Sequence, residues 1–168
     1  MAKKADILSW VLAFVAGTLT VAQFVLLFAL DLPERVAALR VAGYVLWAVS
    51  AYLGWAPIFE LKKYGRVPKG KSYIHTTMLV TRGTYAVVRH PQFLAGPLLN
   101  VGIAAVGQHW LLALLGAVCI PAWYQSMVWA DGEALAKFGD DYKDYMAEVP
   151  RANIISGLIR LMRRGKSS

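Results

Sequence analysis

Apolar residues along this chain gather in long unbroken runs instead of alternating with polar ones. Residues 7–30 contain no Asp, Glu, Lys or Arg, and residues 36–59 contain a single charge, Arg40, in the first turn. Residues 93–130 are again free of all four charged types. A helix rises about 1.5 Å per residue, so about 20 apolar residues cross about 30 Å of hydrocarbon. The pattern therefore predicts spanning helices over 7–30 and 36–59, and a helical hairpin with arms 93–107 and 109–130. Gly107-Gln108-His109 is the expected tip, and the short first arm is expected to tilt or to begin inside the protein. Lys3 and Lys4 before the first run also suit a signal peptide. That run exceeds an h-region of about 7–15 residues and no small-residue cleavage site follows, so a retained helix is expected.

Two polar segments separate and follow these runs. The first, 60–92, is longer than a plain connection between helices. Its opening half is basic and turn-rich, and its second half, 73–88, is β-branched and aromatic, suited to extended or partly helical chain. The second segment, 131–168, opens with Asp131-Gly132-Glu133 at the expected exit of the last span. Residues 134–145 predict a short helix carrying Phe138, Tyr142 and Tyr145, with Gly139 a break and Val149-Pro150 the end. Beyond it, Ile154, Ile155, Leu158, Ile159, Leu161 and Met162 recur at helical spacing among Arg160, Arg163, Arg164 and Lys166. That pattern predicts a helix lying on a membrane surface, apolar face down.

Composition agrees with the runs. Of 168 residues, 58% are hydrophobic and 17% charged, against about 45–50% and about 25% in soluble domains. One cysteine, Cys119, excludes a disulfide scaffold. The expected fold class is all-α: a polytopic integral membrane protein, one membrane domain over 1–168, with about four transmembrane helices plus short cytoplasmic and interfacial helices. A net charge of +8 would draw nucleic acid to a soluble protein. Here the basic residues flank membrane segments, so membrane lipids with anionic headgroups are the expected partners and nucleic acid is not. Lys62, Lys63, Arg66, Lys69, Lys71, Arg82 and Arg89 stand against Glu60 alone in the first polar segment, whereas Asp31, Glu34, Arg35 and Arg40 cancel in the preceding turn. Positive-inside bias then places 60–92, 131–168 and both termini in the cytoplasm, the protein residing in the cell inner membrane.

Candidate chemistry is sparse. His75, His90 and His109 lack metal-ligand spacing, so no metal is expected. No Gly-rich phosphate loop and no serine elbow occurs. The segment 79–93, however, ends in Arg89-His90-Pro91. Proline suits the first turn of a helix, which places Arg89 and His90 beside free N–H groups at a helix N-terminus, where carboxylates and phosphates bind. The same pair would also serve as an interfacial anchor. Asp131 and Glu133 leave the last span on the same side, either as a salt bridge across two helix ends or as proton-handling carboxylates.

These residues carry a resemblance. Leu79-Val80-Thr81-x-Gly83-x-Tyr85-x-x-Val88-Arg89-His90-Pro91-x-Phe93 is similar to the signature of the isoprenylcysteine carboxyl methyltransferase family and its phospholipid methyltransferase relatives. A second element of that family is matched by Asp131, Glu133, Leu135, Phe138-Gly139, Tyr142, Tyr145 and Val149-Pro150-Arg151. The resemblance implies a membrane methyltransferase using S-adenosylmethionine, with a lipophilic or lipid substrate entering from the bilayer. It implies cofactor contacts from Gly83, Tyr85, Arg89, His90 and Pro91, closed over by Tyr142 and Tyr145, and a catalytic carboxylate at Asp131 or Glu133. The acids are spaced by Gly132 rather than adjacent, so either fits. The arginine that prenyl-specific members carry before the acids is absent from 126–130, which argues against a prenylcysteine substrate. Membrane sterol reductases, which use NADPH, share a similar C-terminal architecture, and a non-enzymatic membrane assembly role is the third reading. The methyltransferase reading requires the two hairpin ends to meet around one nucleotide-sized hollow.

Overall fold

The computed structural model describes residues 2–31 and 36–164, with side chains from Trp10 onward. The expected charges at Glu34, Arg35 and Lys166, and the side chains of Lys3 and Lys4, lie outside what is described. Among the described residues the fold is all-helical, 78% helix with no strand. The helices are α1 (Ala2–Ala29), α2 (Ala37–Tyr64), α3 (Thr84–Val87), α4 (Pro91–Gly107), α5 (Trp110–Phe138), α6 (Asp140–Glu148) and α7 (Ile154–Arg164).

Three of them, α1 from Trp10, α2 and α5, are long and apolar enough to cross a membrane. Large apolar side chains face outward along them, among them Phe14, Phe28, Trp55 and Trp110, an arrangement suited to hydrocarbon rather than water. Their internal prolines, Pro57 and Pro121, are the kind membrane helices tolerate. α4 has 17 residues, about 25 Å at helical rise, and is too short to count as a fourth span on length. Two boundaries also differ from expectation. α2 continues to Tyr64 rather than 59, and α5 to Phe138 rather than 130. Glu133-Ala134-Leu135-Ala136-Lys137 is strong helix-forming sequence, and a lone Gly132 costs too little to stop the ladder. Of the two alternatives for 73–88 the segment is partly helical: turns lead into the single helical turn α3.

The chain divides into two compact units. The first contains Met1–Tyr52 and Phe93–Trp129. Its apolar core is Leu27, Ile103, Val106 and Leu112, with Trp47 and Leu99 packed on it. The hairpin tip falls where expected, at Gln108 and His109. Gln108 takes a left-handed φ of 50° and pairs its side-chain amide with the Val36 backbone, accepting from the N–H and donating to the carbonyl at 2.9 Å each.

A polar network crosses this apolar interior. Gln23 donates to the Asn100 and Leu112 carbonyls at 3.0 and 2.7 Å. Asn100 donates to Gln23 Oε1 and Thr20 Oγ1, and accepts from Trp123 Nε1. Neutral amides satisfy one another here without bringing charge into a dry interior. Asn100→Ala is expected to cost about 1–2 kcal/mol, because Gln23 and Trp123 lose partners where no water replaces them. Reversible unfolding in detergent micelles measures it.

Candidate functional site

The second unit contains Leu53–Gln92 and Ala130–Ser168, and it holds nearly every residue singled out from the sequence. It is built around Asp131, which α5 carries into the interior. Four donors converge on that carboxylate. His90 Nε2 and the Tyr142 hydroxyl both donate to Oδ1 at 2.6 Å. Arg89 Nη2 and Arg151 Nε both donate to Oδ2, at 3.2 and 2.7 Å. Arg89, His90, Asp131 and Tyr142 are all buried.

Each donor reaches this point through local chain chemistry. Pro91 opens α4, so Arg89 and His90 sit in the turn just before it. The Arg89 N–H donates to the Pro150 carbonyl and its Nη1 to the Met146 carbonyl, which binds that turn to the end of α6. α6 begins after Gly139 and ends before Pro150, whose ring cannot continue the helix. The break turns Tyr142 and Tyr145 inward with Val149, where Leu79, Leu135, Phe138 and Met146 cover them. Arg151 follows Pro150 directly and is thereby aimed back at Asp131.

A second carboxylate holds the strip before Arg89. Glu60, near the end of α2, accepts from the Thr84 N–H at 3.0 Å and from its hydroxyl at 2.6 Å, capping α3. Gly83 stands at φ +63°, and a Cβ there would collide with the Glu60 carboxylate. Tyr85 follows, and its carbonyl accepts the Tyr145 hydroxyl at 2.6 Å.

Most of the candidate residues are thus brought together: Arg89, His90, Asp131 and Tyr142 in direct contact, with Tyr145 and Tyr85 bonded beside them and Pro91 buried next to His90. Gly83 belongs to the Glu60 clamp. Glu133 is not brought in. It lies two residues beyond Asp131 on a continuous helix, about 200° round the axis, and is exposed. Glu60, Thr84 and Arg151 also take part, although the sequence marks none of them as a site residue. Arg151 had a visible signal, since it follows a helix-ending proline inside the second motif. Glu60 had only a weak one, as the single acid of a basic segment. The nucleotide-sized hollow expected between the two motifs is closed over by the buried side chains themselves.

Burial sets the titration of the tyrosines. It pushes the Tyr85, Tyr142 and Tyr145 hydroxyls well above the usual tyrosine range, and the neighbouring Asp131 carboxylate adds to the rise at Tyr142. Exposed Glu148 is held below the usual carboxylate range by its pairing with Arg164.

Chemically, two guanidinium groups, those of Arg89 and Arg151, face one carboxylate among the described residues. Arg89 Nε is buried with no hydrogen-bond partner among the described residues. Both features fit a small anionic group such as a carboxylate or phosphate. Asp131, with its lone pairs taken by four donors, is placed to position Arg89, His90 and Tyr142; it can take a proton only after releasing one of them. No family model, curated protein or solved structure matches the chain.

Two outcomes are expected. Gly83→Ala forces a left-handed alanine and displaces Glu60 from Thr84, a loss of about 2–4 kcal/mol. Gly132→Ala, in the helix interior with open space at its Cβ, gains about 0.5–1 kcal/mol. Unfolding midpoints in micelles compare the two. The buried tyrosines bind their protons more tightly folded than unfolded. Stability intact below about pH 10 is therefore lost as pH rises above it, by about 1.4 kcal/mol per pH unit for each tyrosine that ionises only on unfolding. Tyr145→Phe should flatten that slope, read as denaturation midpoint against pH.

Proposed function

We propose that the chain is an S-adenosylmethionine-dependent methyltransferase acting on a lipophilic or lipid acceptor at the cytoplasmic face of the inner membrane. In this reading α4 completes a four-span arrangement with both termini inside. The observation that carries the proposal is the convergence on Asp131. The two sequence elements similar to the methyltransferase family, far apart in the chain, supply Arg89 and His90 on one side and Tyr142 and Arg151 on the other.

When bound, S-adenosylmethionine supplies an electrophilic methyl group on a sulfonium, transferred by displacement without a metal or a covalent intermediate on the protein. The chain's own part is then positioning, and holding reactants at attack distance is worth about 7–11 kcal/mol. Arg89, with its unpartnered Nε, and the α4 N-terminus would hold the cofactor carboxylate. The faces of Tyr85, Tyr142 and Tyr145 suit its cationic and aromatic parts. Asp131 keeps these groups in register, and Glu133, outside the cluster, is the acid free to meet solvent. Because Arg89, His90 and Tyr142 are buried, the reading requires α6 and Arg151 to draw back from Asp131 to admit the cofactor.

The test is ligand stabilisation of purified protein by S-adenosylhomocysteine, with NADPH as comparison. At 100 times its dissociation constant S-adenosylhomocysteine should add about 2.7 kcal/mol of stability, and Arg89→Lys should weaken the response at least tenfold. Stabilisation by NADPH alone would transfer the site to a reductase. No response to either would leave the cluster a structural lock and end the enzyme reading.

A further inference from the structure

A groove of about 440 Å³ runs along α7, lined by Ser156, Ile159, Arg160, Arg163 and Arg164. Helical spacing of about 100° per residue puts the three arginines on one arc and Ile155, Leu158, Ile159 and Met162 on the adjoining one. Those four apolar residues are exposed, Ile155 at 72% and Met162 at 62%, so the arc presents bare hydrocarbon. The opposite side of the helix is committed to the protein. Gly157 backs onto the Val87 carbonyl so closely that a Cβ would collide with it, and Arg160 donates to the Ala86 carbonyl. Asn153 caps the helix, its Oδ1 accepting from the Ser156 N–H at 3.0 Å. α7 is therefore held in one rotation, with Arg160 turned toward Ala86 and the apolar arc, Arg163 and Arg164 turned outward together.

Glu148 pairs with the arginine arc, 2.7 Å from Arg164 and 3.9 Å from Arg160. Among the described residues, three arginines line the groove and one carboxylate, Glu148, pairs with two of them. A soluble anion would meet the arginines and leave the apolar arc bare. A ligand with a phosphate at one end and acyl chains at the other meets both.

We propose that the α7 groove is a binding site for an anionic phospholipid. Its phosphate is held by Arg160, Arg163 and Arg164, and its chains lie along Ile155, Leu158, Ile159 and Met162. The site is independent of methyl transfer and is read without cofactor.

Full-length protein in micelles is titrated calorimetrically with short-chain phosphatidylglycerol, short-chain phosphatidylcholine and inorganic phosphate. Phosphatidylglycerol should bind tightest of the three. Arg163→Gln and Arg164→Gln, both at exposed positions, should each weaken it about fivefold, while Arg163→Lys, which keeps the charge, should retain most of the preference. Ile155→Asn should weaken the lipid and leave phosphate unchanged. Equal binding of the two lipids, or an affinity untouched by both glutamine variants, would overturn the proposal. Phosphate binding as tightly as phosphatidylglycerol would overturn it in favour of a free-anion site.

Discussion

A single buried carboxylate organises the second unit. Asp131 brings a negative charge into an interior that water does not reach, and such a charge is tolerable only when it is hydrogen-bonded and paired. Its two oxygens take four donors from three separate places in the chain: the turn before α4, the inner face of α6, and the residue after Pro150. Withdrawal of that carboxylate would take a shared ionic partner from Arg89 and Arg151, a defect of the kind that costs about 3–5 kcal/mol. This ion cluster links the turn before α4 to the last part of α5.

The two units solve the same problem with different chemistry. In the first, helices that face outward with phenylalanine and tryptophan are tied internally by neutral amides, Gln23 and Asn100, which satisfy carbonyls without carrying charge into hydrocarbon. In the second, charge is admitted and paired. Glu60 repeats the logic of Asp131 on a smaller scale, fixing Thr84 and so the position from which the Tyr85 carbonyl receives Tyr145. The two carboxylates together hold both ends of the 83–90 strip, one at α3 and one at the entry to α4.

Much of this was legible before any coordinates. The apolar runs announce helices, the Gln108 turn announces itself after Gly107, and Arg89, His90, Asp131 and Tyr142 stand out by motif. The two displaced helix ends, at Tyr64 and Phe138, share one cause. Hydrophobicity marks where hydrocarbon ends, and a helix does not end there unless its backbone meets a breaker. α5 therefore runs eight residues past Ala130, and that continuation separates Asp131 from Glu133 by half a turn. The motif alone leaves the two acids equivalent, because Gly132 separates them. Glu60 stayed hidden for a related reason: its partner, the Thr84 N–H, lies across a segment of turns that no periodicity describes.

Local rules therefore determined the helices, the apolar surfaces and the residue types able to form an ionic cluster. Those depend on rise per residue, side-chain transfer energies and proline's missing N–H, all of which act within a few residues. Only the tertiary structure decided which acid is buried, that Arg151 completes the set of donors, and that α7 is locked with its arginines beside its exposed apolar arc. Those outcomes depend on carboxylates meeting donors from distant segments, and the free energy of such a meeting is set by burial, which no stretch of sequence possesses by itself.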